Sequence, residues 1–380
     1  MEMEPEYRLP FVTVLVPCRN EADFIERCLM SILSNGYPAD RFGVLVVDGG
    51  SEDGTRAVLE VYAQRQACIR VIDNPGRTTP KALNLGVREA QGDVVLRVDA
   101  HARLERGYIR RCVEALYEHN ADVACGLMRT IPAVDSPVGQ AIAAALSHPF
   151  GVGNSYFRIH VSDATWVDTV FCGCYRREVF ARVLASEGFH SSGGAPLAPA
   201  SIDCQGPFNV DLIRGQDMDF SLRLQKTGGR MLLVPDVASE YYARSTISAF
   251  WRQNWSNGLW AMLPFAYSDG IPVSIRHLIP LFFVTALLAT AAVGVVSRPW
   301  CWVSGAILVV YGMVNVAASI HVAWTSKSFS RLFLMPFVFA ALHLGYGLGS
   351  LWGLVRLMSL PRFWRKLGLA GAGRASAVEL

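Results

Sequence analysis

The feature that most limits how this chain can fold is a C-terminal stretch in which three long apolar runs follow one another. The runs cover residues 278–297, 299–326 and 332–355, and the full charges between residues 278 and 355 are Arg298, Lys327 and Arg331. About twenty apolar residues suffice to cross the hydrocarbon core of a bilayer as a helix. Because three such runs seldom fit inside one globular core, the sequence predicts about three transmembrane helices and excludes a purely soluble enzyme.

The composition agrees with a membrane-bound C-terminal part. Only 18% of the residues are charged, against about 25% in soluble domains, and the deficit is confined to the apolar runs. Tryptophans at the ends of membrane helices are typical of the interface, and here they are Trp300, Trp302, Trp324 and Trp352. A net charge of +3 is too small to indicate nucleic acid as a partner. The nine cysteines are scattered, which predicts reduced thiols rather than a disulfide framework.

These patterns predict four segments. Residues 1–244 form a cytosolic domain, residues 245–277 an amphipathic, tryptophan-rich segment, residues 278–356 the transmembrane helices and residues 357–380 a basic tail. The amphipathic segment is expected to lie in the membrane interface or, alternatively, to pack against the N-terminal domain.

The predicted location is the inner (plasma) membrane, with several crossings and the N-terminal domain in the cytoplasm, because the acidic N-terminus does not resemble a secretory signal. The positive-inside rule then agrees with Lys327 and Arg331 but not with the basic residues beyond 355. Either one run is re-entrant or the first span sets the orientation.

The N-terminal part alternates between short β-rich runs and helical patterns. In chain order the predicted elements are strand 11–16, helix 23–33, strand 42–47, helix 53–65, strand 69–72, helix 79–90 and strand 93–98. Such alternation is typical of βαβ units and predicts an α/β fold with a parallel sheet. Open sheets of this kind bind ligands at the carboxyl ends of their strands, so the residues that follow the strands form the candidate site.

Polar residues follow the first two predicted strands. The first strand leads into Pro17-Cys-Arg-Asn-Glu21, and the second leads into Asp48-Gly-Gly-Ser-Glu-Asp-Gly-Thr55. Asp48 could accept a hydrogen bond from a base or a ribose, and the two glycines allow the backbone to approach a ligand. Ser51 and Asp53 are expected mainly as N-caps of the helix that follows.

Two further acidic residues, Asp99 and Asp217, are candidates for metal binding and for catalysis. Asp99 and His101 follow the fourth strand, and their spacing of two places both side chains on one side of an extended segment. Oxygen and imidazole ligands suit Mn²⁺ or Mg²⁺, whose coordination shells substrate phosphates often complete. Asp217 stands near the start of a later helix, where the helix dipole favours an ionised carboxylate. We therefore expect Asp217 to act as a general base, and Asp219 to be an ordinary acidic residue of the first turn.

Four motifs, in this order, resemble the family 2 glycosyltransferases with a GT-A fold, and in particular the ExoA-like subgroup of succinoglycan biosynthesis. The motifs are Pro17-Cys-Arg-Asn-Glu21, Val47-Asp-Gly-Gly-Ser-Glu-Asp-Gly-Thr55, Arg97-Val-Asp-Ala-His101 and Gly215-Gln-Asp-Met-Asp219. The resemblance covers about residues 10–260. It implies a GT-A nucleotide-diphospho-sugar transferase fold, which has a Rossmann-like mixed sheet, followed by transmembrane helices.

The resemblance also implies a role for individual residues. The nucleotide sugar would be bound by Pro17, Arg19, Asn20, Glu21, Asp48, Lys81 and Asp99. Asp99 and His101 stand where the family has the Asp-x-Asp that holds a divalent metal, and Asp217 stands where it has the catalytic base. The residues expected near the acceptor or in a secondary role are His148, Asn154, Gln216 and Gln253.

The chain departs from the family pattern at three places. His101 replaces an aspartate, which leaves the choice between Mn²⁺ and Mg²⁺ open, and Gln216 replaces the glutamate before the base. Ser256 and Asn257 replace the Arg-Trp of the Gln-x-x-Arg-Trp motif of processive synthases. A processive polysaccharide synthase is therefore only an alternative.

The expected function is that of a membrane-anchored, inverting hexosyltransferase that uses a divalent metal. It would move a sugar from a nucleotide-diphosphate donor, a UDP-sugar, to a hydroxyl of a lipid-linked (polyprenyl diphosphate) oligosaccharide in exopolysaccharide or cell-surface glycan synthesis. Transfer straight to polyprenyl phosphate is an alternative that would need no base. A transporter is disfavoured because the apolar runs contain no internal charge, and a non-catalytic scaffold is disfavoured because Asp99 and Asp217 are both present.

Overall fold

A computed structural model describes residues 9–159, 161–186, 206–267 and 272–367. Contacts within the chain divide it into an N-terminal unit, Met1–Ile131 with Ser155–Tyr242, and a C-terminal unit, Pro132–Asn154 with Ala243–Leu380. The sequence-based scheme keeps residues 132–154 in the N-terminal domain, whereas in the structure they fold with the C-terminal unit.

One mixed sheet forms the centre of the N-terminal unit. Its strands are β1 Val12–Cys18, β2 Phe42–Asp48, β3 Ile69–Asp73, β4 Val94–Arg97, β5 Ala102–Leu104, β6 Val123–Pro132, β7 Thr165–Val167, β8 Cys174–Arg176 and β9 Met231–Ala243. Their order is β3-β2-β1-β4-β8-β6-β9-β5, and β7 pairs with β9. The first four strands are parallel, as predicted, and β8 joins β4 in antiparallel register.

Helices cover both faces of this sheet. They are α1 Ile25–Leu33, α2 Thr55–Arg65, α3 Thr79–Glu89, α4 Tyr108–Glu118, α7 Glu178–Ala185 and α8 Gln216–Lys226, with α5 and α6 belonging to the other unit. Side chains of β1 alternate between two buried clusters, Val14 and Val16 in one and Leu15 in the other. This alternation follows the period of two along a strand. The predicted mixed α/β fold is confirmed, and the four predicted strands and three predicted helices are all present.

Three long helices dominate the C-terminal unit. They are α10 Ile279–Val296, α11 Pro299–Thr325 and α12 Phe329–Met358, and each is long and apolar enough to cross a membrane. Because the connecting turns are only two or three residues long, neighbouring helices run antiparallel. The unit also contains α5 Pro137–Ala145, α6 Pro149–Val152, α9 Ile247–Met262 and α13 Pro361–Lys366.

Helix α9 packs lengthwise along α12 through a row of glycines spaced four residues apart. A Cβ at Gly349 would lie 2.1 Å from the carbonyl oxygen of Trp255, and Gly345 and Gly353 face Trp251 and Leu259 in the same way. Such spacing lets two helix backbones approach closely. The tryptophan-rich segment is therefore paired with a candidate membrane helix, a contact that was not among the sequence-based expectations for it.

A directional hydrogen-bond chain holds residues 149–152 against α11 and α12. His343 Nε2 donates to the carbonyl of Phe150 at 2.9 Å, so its Nδ1 accepts from the Tyr311 hydroxyl at 3.1 Å. Asn315 donates to the carbonyl of Pro336 at 3.1 Å. Polar groups inside a helical bundle require such partners, and here they join three parts of the C-terminal unit.

Candidate active site

The loops that follow β1 and β2 are held together by side-chain bonds to backbone amides. The amide of Asn20 donates to Ser51 Oγ at 2.9 Å, and the amide of Glu21 donates to Thr55 Oγ1 at 2.8 Å. In return the amide of Glu52 donates to Asn20 Oδ1 at 2.9 Å. Asn20 adopts a positive φ of 54°, which asparagine tolerates better than most residues. The motif residues Asn20 and Ser51 thus shape the rim of the site.

Asp48 is buried at the carboxyl end of β2. Its Oδ1 accepts from the Ser51 hydroxyl at 2.6 Å, and Arg56 approaches its other oxygen at 3.5 Å. The helix that follows is capped by Gly54, and Ser51 is not its N-cap. Asp53 accepts from the amide of Thr55 at 3.1 Å and from that of Ala22 at 3.1 Å, so it joins the two loops. The N-cap roles expected for Ser51 and Asp53 are therefore both wrong.

The centre of the site is Arg97, the last residue of β4. Its guanidinium donates to Asp99 Oδ1 at 2.9 Å and also to Asp217 Oδ1. Asp217 lies in the first turn of α8, far from Asp99 along the sequence. In the fold the carboxylates of Asp99 and Asp217 both contact the guanidinium of Arg97. Arg97 and Asp99 are largely buried, whereas the Asp217 side chain is 36% exposed.

The surroundings move the two carboxyl groups in opposite directions. Burial opposes ionisation of Asp99, but the charge and hydrogen bond of Arg97, together with the neighbouring His101, outweigh it and hold the pKa of Asp99 below the ordinary value. Burial, together with the negative charge of Asp99, raises the pKa of Asp217 despite Arg97. Two neighbouring carboxyls whose pKa values are separated by their environment suit different tasks. Asp99 is suited to remain an anion, and Asp217 to take up a proton.

His101 is oriented by Glu21. Its Nδ1–H donates to Glu21 Oε1 at 3.0 Å, and its ring contacts Tyr241 edge-on at a centroid distance of 5.8 Å. A carboxylate behind a histidine is the usual arrangement that fixes the tautomer of a metal-ligating imidazole. Across the described residues, no cluster of three or more His, Cys, Asp or Glu could hold a metal. The donor set of Asp99 and His101 therefore fits a cation that takes its other ligands from the phosphates of a substrate.

Other predicted residues lie in or after the strands β1 and β3. Pro17 belongs to β1, beside Val47 of β2. The guanidinium of Arg19 donates to the carbonyl of Arg77 at 3.3 Å, and Gly50, at a φ of 72°, faces the Arg77 side chain. Lys81 lies in the first turn of α3 with its alkyl chain against Gly76. These cations line the strand ends where phosphates of a donor are expected.

Gln216 and Asp219 lie on either side of Asp217 on α8. Gln216 is buried, and its Oε1 has no hydrogen-bond partner among the described residues. Asp219 is buried and accepts from Arg223, one turn along the helix, at 2.7 Å. Asp219 therefore stabilises the helix, whereas Gln216 presents an unused acceptor next to Asp217.

The three remaining candidates belong to the C-terminal unit. His148 caps α6, where its Nδ1 accepts from the amide of Phe150, and its Nε2–H donates to His321 Nδ1 at 3.1 Å. Asn154 Oδ1 accepts from Arg276 at 3.3 Å. Gln253 lies on α9. Within their unit these residues have structural contacts, and their predicted acceptor roles stay predictions.

Arg97 is the functional residue that the sequence did not reveal. In the sequence Arg97 is only the first residue of a motif, whereas in the structure its guanidinium binds both acidic candidates, Asp99 and Asp217. One signal was readable, because Arg97 and Asp99 are two residues apart and so share a side of the strand. Its contact with Asp217 depends on tertiary structure.

Comparison with known proteins identifies sequences similar to this chain. Residues 13–184 match the sequence model of glycosyl transferase family 2. The chain is 26% identical over 270 residues to the succinoglycan biosynthesis protein ExoA of Rhizobium meliloti, which covers 70% of this chain and 74% of that protein. It is 25% identical over 253 residues to a dolichyl N-acetyl-alpha-D-glucosaminyl phosphate 3-beta-D-2,3-diacetamido-2,3-dideoxy-beta-D-glucuronosyltransferase of Methanococcus voltae, covering 65% of this chain and 72% of that protein.

A solved structure resembles the fold as a whole. The mannosyltransferase PcManGT of Pyrobaculum calidifontis, solved in complex with GDP-Man and Mn²⁺, superposes with a TM-score of 0.54 at 22% identity. The alignment covers 92% of this chain and 89% of that protein. At this identity the likeness establishes the fold alone, which is the GT-A-like mixed sheet.

Proposed function

We propose that this chain, whose residues 13–184 match the sequence model of glycosyl transferase family 2, is an inverting glycosyltransferase that uses a nucleotide-sugar donor. Its acceptor is a hydroxyl of a lipid-linked oligosaccharide. The observation that carries the proposal is the Arg97 bridge, which brings Asp99 and Asp217 together while their pKa values move apart. The donor would be a UDP-sugar.

The residues of the site account for the chemistry of one displacement. Asp217 takes the proton from the acceptor hydroxyl as its oxygen bonds to the anomeric carbon of the donor sugar. The bond from that carbon to the diphosphate breaks on the opposite face, so the anomeric configuration inverts. Arg97 positions Asp217 by a charge-assisted hydrogen bond. A divalent cation held by Asp99 and His101 would neutralise negative charge on the departing diphosphate.

Two observations favour a hydroxyl acceptor over a polyprenyl phosphate. A phosphate is already ionised and needs no base, whereas Asp217 has an environment that raises its affinity for a proton. In addition, the Methanococcus voltae relative is named for transfer to the 3-position of a dolichyl-phosphate-linked N-acetylglucosamine. We propose a location in the inner membrane with the N-terminal unit in the cytoplasm, since three helices are long and apolar enough to cross.

The test is sugar transfer by full-length protein in detergent with Mn²⁺, labelled UDP-sugars and a bacterial lipid extract. Asp99→Ala and Asp217→Ala are each expected to lose transfer by at least about a hundredfold. Asp40→Asn, an exposed aspartate of the same unit, is the matched control and keeps full activity. Undiminished transfer by Asp217→Ala would overturn the hydroxyl mechanism in favour of a phosphate acceptor. Calorimetry of donor binding, with and without Mn²⁺, identifies the nucleotide.

A further inference from the structure

Tyr175 stands on β8 beside the arginine that joins the two acidic candidates. It lies opposite Val95 of β4, so Arg97, two residues further along β4, shares its side of the sheet. The ring leans along the strand towards Gly173, where a Cβ would lie 2.8 Å from ring atom Cε2 and 2.9 Å from Cζ, the carbon that bears the hydroxyl. The amide of Arg97 donates to the carbonyl of Gly173 at 2.9 Å. The hydroxyl end of the Tyr175 ring therefore lies next to Arg97.

The Tyr175 side chain is well packed, but its hydroxyl is not bonded to the protein that surrounds it. The residue is 4% exposed, and its ring lies 5.3 Å from that of Phe180 and edge-on to Phe220 at 5.8 Å. Among the residues that the structure describes, none hydrogen-bonds to the hydroxyl. Because buried polar groups in proteins nearly always have a partner, this hydroxyl is available to a ligand.

The charges of the site act on this hydroxyl, which stays protonated. Burial raises the pKa of Tyr175, the guanidinium of Arg97 opposes this rise, and the carboxylates of Asp217 and Asp99 add to it. A neutral phenol can donate a hydrogen bond. Because the Asp217 side chain is 36% exposed, the space next to these charges is open to a substrate. Tyr175 is therefore a donor where the sugar is expected to react.

Gln216 offers a matching acceptor. It directly precedes Asp217 at the start of α8 and lies one turn before Phe220, so its side chain shares a helix face with the ring that Tyr175 contacts. Gln216 is 7% exposed, and its Oε1 has no hydrogen-bond partner within the described parts of the chain. An unpaired buried acceptor is unfavourable in the free protein, so its presence here points to a ligand that donates.

We propose that Tyr175 and Gln216 together bind one hydroxyl of a sugar held at Asp217, so that both residues determine sugar specificity. The phenol donates to the oxygen of that hydroxyl, and the hydroxyl donates to Gln216 Oε1. A hydroxyl fits because it is a donor and an acceptor at once. It is not the reacting hydroxyl, whose proton goes to Asp217. The inference rests on the proposed function, and the donor sugar and the acceptor sugar offer this same chemistry.

Calorimetry of the full-length protein in detergent with Mn²⁺ tests the donor side. The ligands are UDP-glucose, UDP-galactose, UDP-N-acetylglucosamine and UDP alone, and the variants are Tyr175→Phe and Gln216→Met. One neutral hydrogen bond corresponds to roughly threefold to tenfold in affinity. If the hydroxyl belongs to the donor, each variant should lose this factor for the UDP-sugar that the wild type binds most tightly, and should bind UDP as the wild type does.

Transfer to a bacterial lipid extract tests the acceptor side. If the hydroxyl belongs to the acceptor, the variants should keep the wild-type affinity for the donor, and their KM for the extract should rise by roughly threefold to tenfold at saturating donor. Wild-type donor affinity together with wild-type KM in both variants would overturn this inference alone. A wild-type protein that binds no UDP-sugar would overturn the proposed donor, and the inference with it.

Thermal unfolding separates substrate binding from a structural role. Neither group bonds to the described part of the protein, so neither substitution should lower the Tm. A lower Tm with unchanged affinity and KM would assign Tyr175 and Gln216 to folding and overturn the inference. Tyr62→Phe is the matched control, because it removes a hydroxyl that bonds to Glu26 at 3.2 Å on the surface of the same unit, and it should keep the wild-type affinity and KM.

The double variant tests whether the two groups share one hydroxyl. Hydrogen bonds through a shared hydroxyl strengthen each other, so Tyr175→Phe with Gln216→Met should lose less affinity than the product of the two single losses. A loss equal to that product would place the groups on separate hydroxyls and overturn the shared site.

Discussion

Replacing each carboxylate on Arg97 by its amide should change stability in opposite directions. Asp99 has a lowered pKa, so its ionised form stabilises the fold above the pKa of the unfolded chain, and that contribution is lost as the pH falls through the folded pKa. Asp217 has a raised pKa, so the stability it contributes is complete below its unfolded pKa and is lost as the pH rises through its folded pKa. At pH 7.5, Asp99→Asn should destabilise the protein and Asp217→Asn should stabilise it.

The structure limits the size of both effects. In Asp99→Asn the new amide oxygen would still accept from Arg97 across the 2.9 Å contact, but the bond would lose its ionic part. A net bond to a charged group contributes about 1.5–3 kcal/mol against about 1 kcal/mol for a neutral one, so the loss is about 0.5–2 kcal/mol. Asp217 is 36% exposed, and solvent screening limits its gain to about 1 kcal/mol at most. In a domain of this size 1 kcal/mol corresponds to about 2–4 °C in Tm.

The assay is thermal unfolding of the two variants and the wild type in detergent, with a chelator present so that no metal contributes. At pH 7.5 the Tm of Asp99→Asn should fall by roughly 1–8 °C, and that of Asp217→Asn should rise by up to about 4 °C. The gain of Asp217→Asn should shrink towards zero as the pH approaches the ordinary aspartate value of about 3.9. Shifts of the same sign for both variants at pH 7.5 would refute the opposed-pKa account of the site.

Three further outcomes are expected. The kcat/KM of the wild type should fall on acidification with an apparent pKa above the ordinary aspartate value, because burial and Asp99 raise the pKa of Asp217; an acid limb at or below about 3.9 would contradict this. Gly349→Val should destabilise the C-terminal unit by about 2–3 kcal/mol, because the new Cβ would lie too close to the carbonyl oxygen of Trp255. Gly312→Val is the control and should leave the melting temperature unchanged, because there is open space around Gly312. Burial raises the pKa of the thiols of Cys28, Cys112 and Cys174. Iodoacetamide at pH 7.5 should therefore leave these thiols unmodified until the protein is denatured, as measured by mass spectrometry. Rapid labelling of the native protein would show that they are not buried.

The sequence predicted the parallel half of the sheet because its strands are long enough to show a pattern. β1 to β4 alternate with three helices, and each predicted element lies within two residues of its observed bounds. The antiparallel strands were not predicted individually. β5, β7 and β8 have three residues each, too few for a period of two to be recognisable, and the longer β6 and β9 lie outside the βαβ alternation on which the prediction was based. Their pairing is set by long-range contacts.

The acidic residues of the candidate site were predictable from the sequence, but the contacts between them were not. Asp99 and Asp217 were identified by motif, and the structure places both on Arg97. The bridge itself could not be read from the sequence, because it needs β4 and α8 to meet. The glycine row of α12 was readable at its spacing of four, but hydropathy alone describes that segment only as apolar. The assignment of residues 132–154 to the C-terminal unit needed the contacts of α5 and α6.

The chain passes between its two units three times, after residues 131, 154 and 242. Ala141, Ile142 and Ala145 are buried residues of α5, and α12 packs against this helix. Because α12 begins only at Phe329, it leaves the ribosome long after α5 does. A polypeptide released after Tyr242 would keep α5 and α6 without this neighbour and would tend to aggregate. Folding of the C-terminal unit therefore waits for synthesis of its last helices, which come from the final third of the chain.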